Sequence, residues 1–169
     1  MDWKQAFYRQ ALSDFEHYKD LSANKNSVPL CYQLQMFLFA MEKLAKAWIS
    51  QAGSPPPAKH PCIATFLIQT VSIPRFREEM NFQKYNSYKS YIDSIMPVAG
   101  KLDQLHPTSE GLLNTEYPWE DNGSIIVPST YHFNEIVDAS NNTPWVKFVG
   151  FAHNAFRVSG LMDDFREEA

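Results

Sequence analysis

The sequence predicts an all-α protein: an up-and-down bundle of four main helices plus one short helix, with a long irregular loop before the last helix. Three observations carry this. Apolar residues recur at steps of three and four over four long stretches. Proline, glycine and capping residues fall mostly between those stretches. From about residue 106 to residue 142 the helical period is lost. A chain of 169 residues suits one domain with one core, so residues 1–169 are read as a single helical domain with an irregular insertion at about 106–142.

The elements follow in order. Trp3, Phe7, Ala11, Phe15, Tyr18 and Leu21 make one stripe over Asp2 to about Ala23. Asn24-Lys25-Asn26-Ser27 is a polar break, with Ser27 the expected cap and Pro29 in the first turn of a second helix reaching about Gln51. Cys31, Leu34, Leu38, Met41, Ala45 and Trp48 stripe that helix, and Phe37, Leu44 and Ile49 widen the stripe, so it is expected at the centre. Gly53 and Pro55-Pro56-Pro57 stop it. A short helix after His60-Pro61 carries Ile63, Phe66, Leu67 and Val71. Beyond Pro74, the residues Phe76, Met80, Tyr85, Tyr88, Ile92, Ile95, Ala99 and Leu102 read as one long helix, which Pro97 should kink or end. Inside the insertion, Asn122-Gly123 followed by Ser124-Ile125-Ile126-Val127 predicts a small hairpin. Thr143 is the expected cap of the last helix and Pro144 its first residue. Trp145, Phe148, Val149, Ala152, Phe156 and Phe165 form its inward face.

Composition excludes several classes. The net charge of −4 argues against a surface built as a whole for nucleic acid. The longest apolar run, Met36 to Met41, is too short for a bilayer, so no membrane partner is expected. Met1-Asp2-Trp3-Lys4-Gln5 lacks the basic-then-apolar pattern of a secretory signal, and Cys31 and Cys62 form no Cys-x-x-Cys motif. The expectation is a cytoplasmic chain with two reduced thiols. The histidines His17, His60, His106, His132 and His153 lie far apart without ligand spacing, and no glycine-rich phosphate loop or nucleophile-elbow pattern occurs. Neither a metal nor a cofactor is expected.

The second helix also carries a family signal. Leu34-Gln35-Met36, then Met41-Glu42-Lys43-Leu44-Ala45-Lys46-Ala47, Gly53 and His60 resemble the HEPN domains, whose second helix typically carries Glu-Lys-x-x-Lys-Ala before a Pro-rich loop and a His. Asp14-Phe15 on the first helix and the Tyr117-Pro118 pair are also similar to that family. The resemblance covers roughly Trp3 to Trp119. It implies a helical bundle, a homodimer, a nucleotide or RNA ligand, and a nucleotidyltransferase partner in a toxin–antitoxin or related stress setting. Active members cleave RNA without metal through an Arg-x4–6-His motif. Here no Arg has a His at that spacing. The nearest match is Lys101 to His106, and Glu116 precedes Tyr117 where some relatives carry Arg.

Each candidate residue has a chemical and a structural reading. Lys101 and His106 could act as charge stabiliser and proton carrier, or simply end a helix before Pro107. Lys43 and Lys46, at spacing i, i+3, could line a phosphate groove or form a solvated face. Glu42 can pair with Lys46. Lys59 and His60 could contact an anion or orient the loop after the prolines. Tyr117, Trp119 and Tyr131 could stack a base or cover one end of the bundle. His153 and Arg157 share a helix face at i, i+4 and read as surface chemistry unless both border a cleft. The expected function is a noncatalytic HEPN-like domain that binds a nucleotide, RNA or a protein partner. The alternatives are a metal-independent RNase using Lys101 and His106, and a structural dimerisation module.

Overall fold

The computed structural model describes residues 2–24, 27–50, 62–105, 113–138, 143–162 and 165. It is an all-helical bundle with one two-stranded hairpin before the last helix. Helix α1, Trp3–Ala23, starts from a capping box: the Asp2 carboxylate accepts from Gln5 N at 2.8 Å, and Asp2 N donates to Gln5 Oε1 at 3.0 Å. Its buried face is Tyr8, Ala11, Phe15 and Tyr18. Tyr8 thus takes the inward place expected of Phe7, and Trp3 is 47% exposed.

Helix α2 spans Leu30–Ile49 and buries eleven residues, among them Phe37, Met41, Leu44 and Ala45. It is the central helix, as the sequence predicts. The expected cap at Ser27 is not used. Pro29 holds the N-cap position without a side-chain bond, while the Ser27 hydroxyl donates to Asn24 O at 3.0 Å. The helix stops at Ile49, and Ser50 closes it by donating to Lys46 O at 2.7 Å. Helices α1 and α2 are antiparallel, since Ser22 faces Gln33, Tyr18 faces Phe37 and Asp14 faces Lys43.

Helices α3, Ile63–Val71, and α4, Pro74–Glu79, are short, and α5 runs from Tyr85 to Asp103. The single long helix expected across Phe76 to Leu102 is therefore two. Asn81 adopts φ 60°, and two hydrogen bonds close α4 behind it, from Asn81 N to Glu78 O and from Phe82 N to Arg77 O. That pair is a Schellman cap with Asn in the left-handed position. Pro97 neither ends nor splits α5. The carbonyl it leaves without an intrahelical donor belongs to Asp93, which is exposed and can bond water.

Helix α3 has no side-chain cap of its own. Asp103, at the far end of α5, supplies one: its carboxylate oxygens accept from Ile63 N at 3.1 Å and Ala64 N at 3.0 Å. Together with the Tyr88–Thr70 hydroxyl contact at 3.1 Å, this makes α3 and α5 antiparallel.

The expected hairpin is present. Strands β1, Trp119–Asp121, and β2, Ser124–Ile126, pair antiparallel with Trp119 opposite Ile126 and Glu120 opposite Ile125. Asn122 and Gly123 turn the chain with φ 48° and 77°, the left-handed pair that a two-residue hairpin needs. Helix α6 is assigned from Thr143 to Gly160, one residue before the expected first residue. Phe165 lies beyond it and is buried against Tyr8 and Trp48.

Aromatic rings join the long helices. Phe37 meets Tyr18, Trp145 and Phe148 at 4.8, 5.0 and 5.5 Å between ring centroids. Phe15 stacks on Phe156 at 4.3 Å, and Trp48 Nε1 donates to the buried Ser159 hydroxyl at 2.8 Å. Those contacts run α6 parallel to α2 and antiparallel to α1.

Candidate functional site

The expected site residues fall into separate regions. Lys43 and Lys46 occupy the margin of α2, and each is held by a carboxylate. Lys43 Nζ lies 2.5 Å from Asp14 of α1 and 4.8 Å from the Phe39 ring centroid; Lys46 Nζ lies 2.6 Å from Glu42, one turn earlier. The Glu42 backbone oxygen accepts from the Cys62 thiol. Burial, helped by the charges of Glu42 and Asp103, pushes that thiol up to about 12. Burial raises Cys31 as well, and both cysteines are free and buried. They are inert thiols rather than nucleophiles.

Lys101 sits in the last turn of α5, and its ammonium donates to the Glu135 backbone oxygen at 2.5 Å. It thereby ties the helix to the loop that follows the hairpin. His106, Lys59 and His60 lie outside the described residues.

The aromatic segment divides in two. Trp119, Tyr131 and Phe133 pack as a mutual cluster with edge contacts of 5.1 Å, and the Tyr131 hydroxyl donates to Glu135 at 2.5 Å. That bond pushes the Tyr131 phenol up to about 12, with burial second. An Asx turn leads in, the Asn114 side-chain oxygen accepting from Glu116 N and Tyr117 N. On one face of the hairpin Trp119, part of this cluster, and its cross-strand neighbour Ile126 are half-buried. The other face, Ile125 with Glu120 opposite it, is turned to water: Ile125 is 70% exposed, and the flanking Val127 and Tyr117 are 46% and 59% exposed.

Two open clefts accompany these features. One of about 440 Å³ lies between Ser27–Leu30 at the start of α2 and Ser129–His132 after the hairpin, so Tyr131 borders it. The other, of about 380 Å³, lies between α1 and α6 and is bordered by His153 and Arg157 together. The spacing of that pair was visible in the sequence; the α1 residues facing it were not. Arg157 turns outward to the carboxylate and backbone oxygen of Glu79 and to Asn154.

Among the described residues no group of acidic, cysteine and histidine side chains is placed to hold a metal ion, and no helix is long and apolar enough to cross a membrane. No family model, curated protein or solved structure matches the chain. The HEPN resemblance rests on the sequence motifs alone.

Proposed function

We propose that the chain is a noncatalytic, cytoplasmic, HEPN-like helical domain that acts by binding a protein surface, its first partner being a second copy of itself. The outer face of the hairpin carries this reading. Ile125, beside Glu120 on that face, and the flanking Val127 and Tyr117 are large side chains left exposed. An exposed apolar side chain such as Ile125, rimmed by a charge, suits a protein interface.

The three ligands implied by the resemblance are not equally favoured by the geometry. A phosphate-bearing ligand needs available cations, yet Lys43, Lys46 and Arg157 are each matched to a carboxylate and Lys101 to a carbonyl. A nucleotide or RNA held by these four would have to displace those partners. A protein partner would not. A nucleotidyltransferase is the next partner to test after self-association.

Light scattering on the wild type and on Ile125→Asp tests the reading. The wild type should have the mass of a dimer, and the variant that of a monomer with unchanged helix content. A wild type that is monomeric at every concentration would refute self-pairing. RNA incubated with the protein in chelator should stay intact; cleavage lost in His106→Ala would establish the RNase alternative instead.

A further inference from the structure

We propose that the cleft between α1 and α6 is a binding site for a small apolar monocarboxylate, with its aromatic or aliphatic body over the Phe15–Phe156 floor and its carboxylate between Lys19 and His153. This is separate from the hairpin reading and does not rest on it.

The cleft has the right size and walls. It is an open groove of about 380 Å³, with room for a small molecule that stays partly exposed. Its floor is rigid, because the rings of Phe15 and Phe156 stack at 4.3 Å and 14° and both residues are buried. Leu12 and Leu161 add apolar rim. One end is bordered by Tyr8, whose hydroxyl donates to Phe156 O at 3.3 Å. A Cβ at Gly160 would lie 2.8 Å from that hydroxyl, so only glycine leaves this end clear without moving Tyr8.

The charges select the ligand's head. Lys19, Glu16 and Arg157 border the cleft, and its two cations are matched by two carboxylates, Lys19 by Glu16 and Arg157 by Glu79. Arg157 is held by the carboxylate and backbone oxygen of Glu79 of α4, so it is neutralised and not available to a ligand. Lys19 is the cation that can move. It pairs with Glu16 at 2.5 Å where both side chains are substantially exposed, at 39% and 57%, and such a pair is weak. One recruitable cation suits a monoanion rather than a polyphosphate.

His153 completes the head group's surroundings. Its ring meets the Phe15 ring edge-on at 4.9 Å. Burial and then the charge of Lys19 disfavour its protonation, while Glu16 opposes them. A carboxylate seated between Lys19 and His153 would screen the first cation from the second, so binding should draw a proton onto the imidazole.

An NMR titration of the folded protein with phenylacetate tests this, with 2-phenylethanol as the uncharged analogue and inorganic phosphate as the charge without the body. Phenylacetate should shift the His153 and Leu12 signals saturably and raise the His153 titration midpoint. Phenylethanol and phosphate should each bind at least about tenfold more weakly. Lys19→Gln should weaken phenylacetate binding and Glu16→Gln should strengthen it, opposite signs that unfolding cannot produce. No saturable shift with phenylacetate, equal binding of phenylethanol, or the same sign for both variants would overturn the proposal.

Discussion

Removing the carboxylate of Asp103 tests how the two halves of the bundle are joined. Asp103 accepts from the first two backbone N–H groups of α3, which has no cap of its own. Asp103→Ala leaves both donors without that acceptor in a half-buried place. The loss should be about 2 kcal/mol, the upper end for a cap. For a chain of this length that is a fall in Tm of about 4–8 °C. Asp103→Asn behaves differently, because one oxygen remains to accept and the charge is gone.

Burial is the largest influence on this group and holds the Asp103 carboxyl above its ordinary 3.8, against the lowering effect of the Ala64, Ile63 and Cys62 amides. The folded state therefore keeps the proton to higher pH than the unfolded chain does. The stabilisation that goes with this is fully present below 3.8 and is lost as pH rises through the folded-state value. Asp103→Asn does not suffer that loss. Its stability relative to wild type should rise between a pH below 3.8 and neutrality, measured by thermal unfolding followed by circular dichroism. If Asn is as damaging as Ala at neutral pH, the ionised carboxylate is a net benefit there, and the reasoning from burial is wrong.

Two further expectations follow from local geometry. Asn81→Val should lower stability in urea by about 1–2 kcal/mol, because a β-branched residue resists the left-handed conformation, whereas Asn81→Gly should be close to neutral. Cys31 and Cys62 should resist a thiol reagent at mildly alkaline pH in the folded protein and both react once it is unfolded; rapid modification of Cys62 in the native state would contradict its burial.

The parts of the fold legible in the sequence are those set by residues close together along the chain. The stripes of α1, α2 and α6 and the Asn122-Gly123 turn depend on local spacing and local backbone preference. What was missed depends on contacts between distant segments, or on one residue's conformation. Met80 and Tyr85 continue an apolar pattern across the break after α4, where the left-handed Asn81 and the extended Lys84 separate the helices. Pro97, expected to kink or end its helix, does not end it; Val98, Ala99 and Leu102 beyond it are buried. The candidate site was legible in the same limited sense. Lys43 and Lys46 do share a margin of α2, but their electrostatic meaning is set by Asp14 on another helix and by Glu42. His153 and Arg157 were recognisable as a pair, while the Phe15, Glu16 and Lys19 opposite them became neighbours only through the α1–α6 packing.

The stack of Phe15 on Phe156 has a consequence for the order in which the molecule can be made. It joins the first helix of the chain to the last. During synthesis α1 and α2 can pair as soon as both have emerged, since their contacts are sequential neighbours. The face of Phe37 that receives Trp145 and Phe148 stays uncovered until nearly the whole chain is out. A nascent chain that stalls within the insertion therefore presents the central helix's rings to water and to chaperones. Truncation before α6 would leave that exposure permanent, so the last helix acts as the latch of the whole domain.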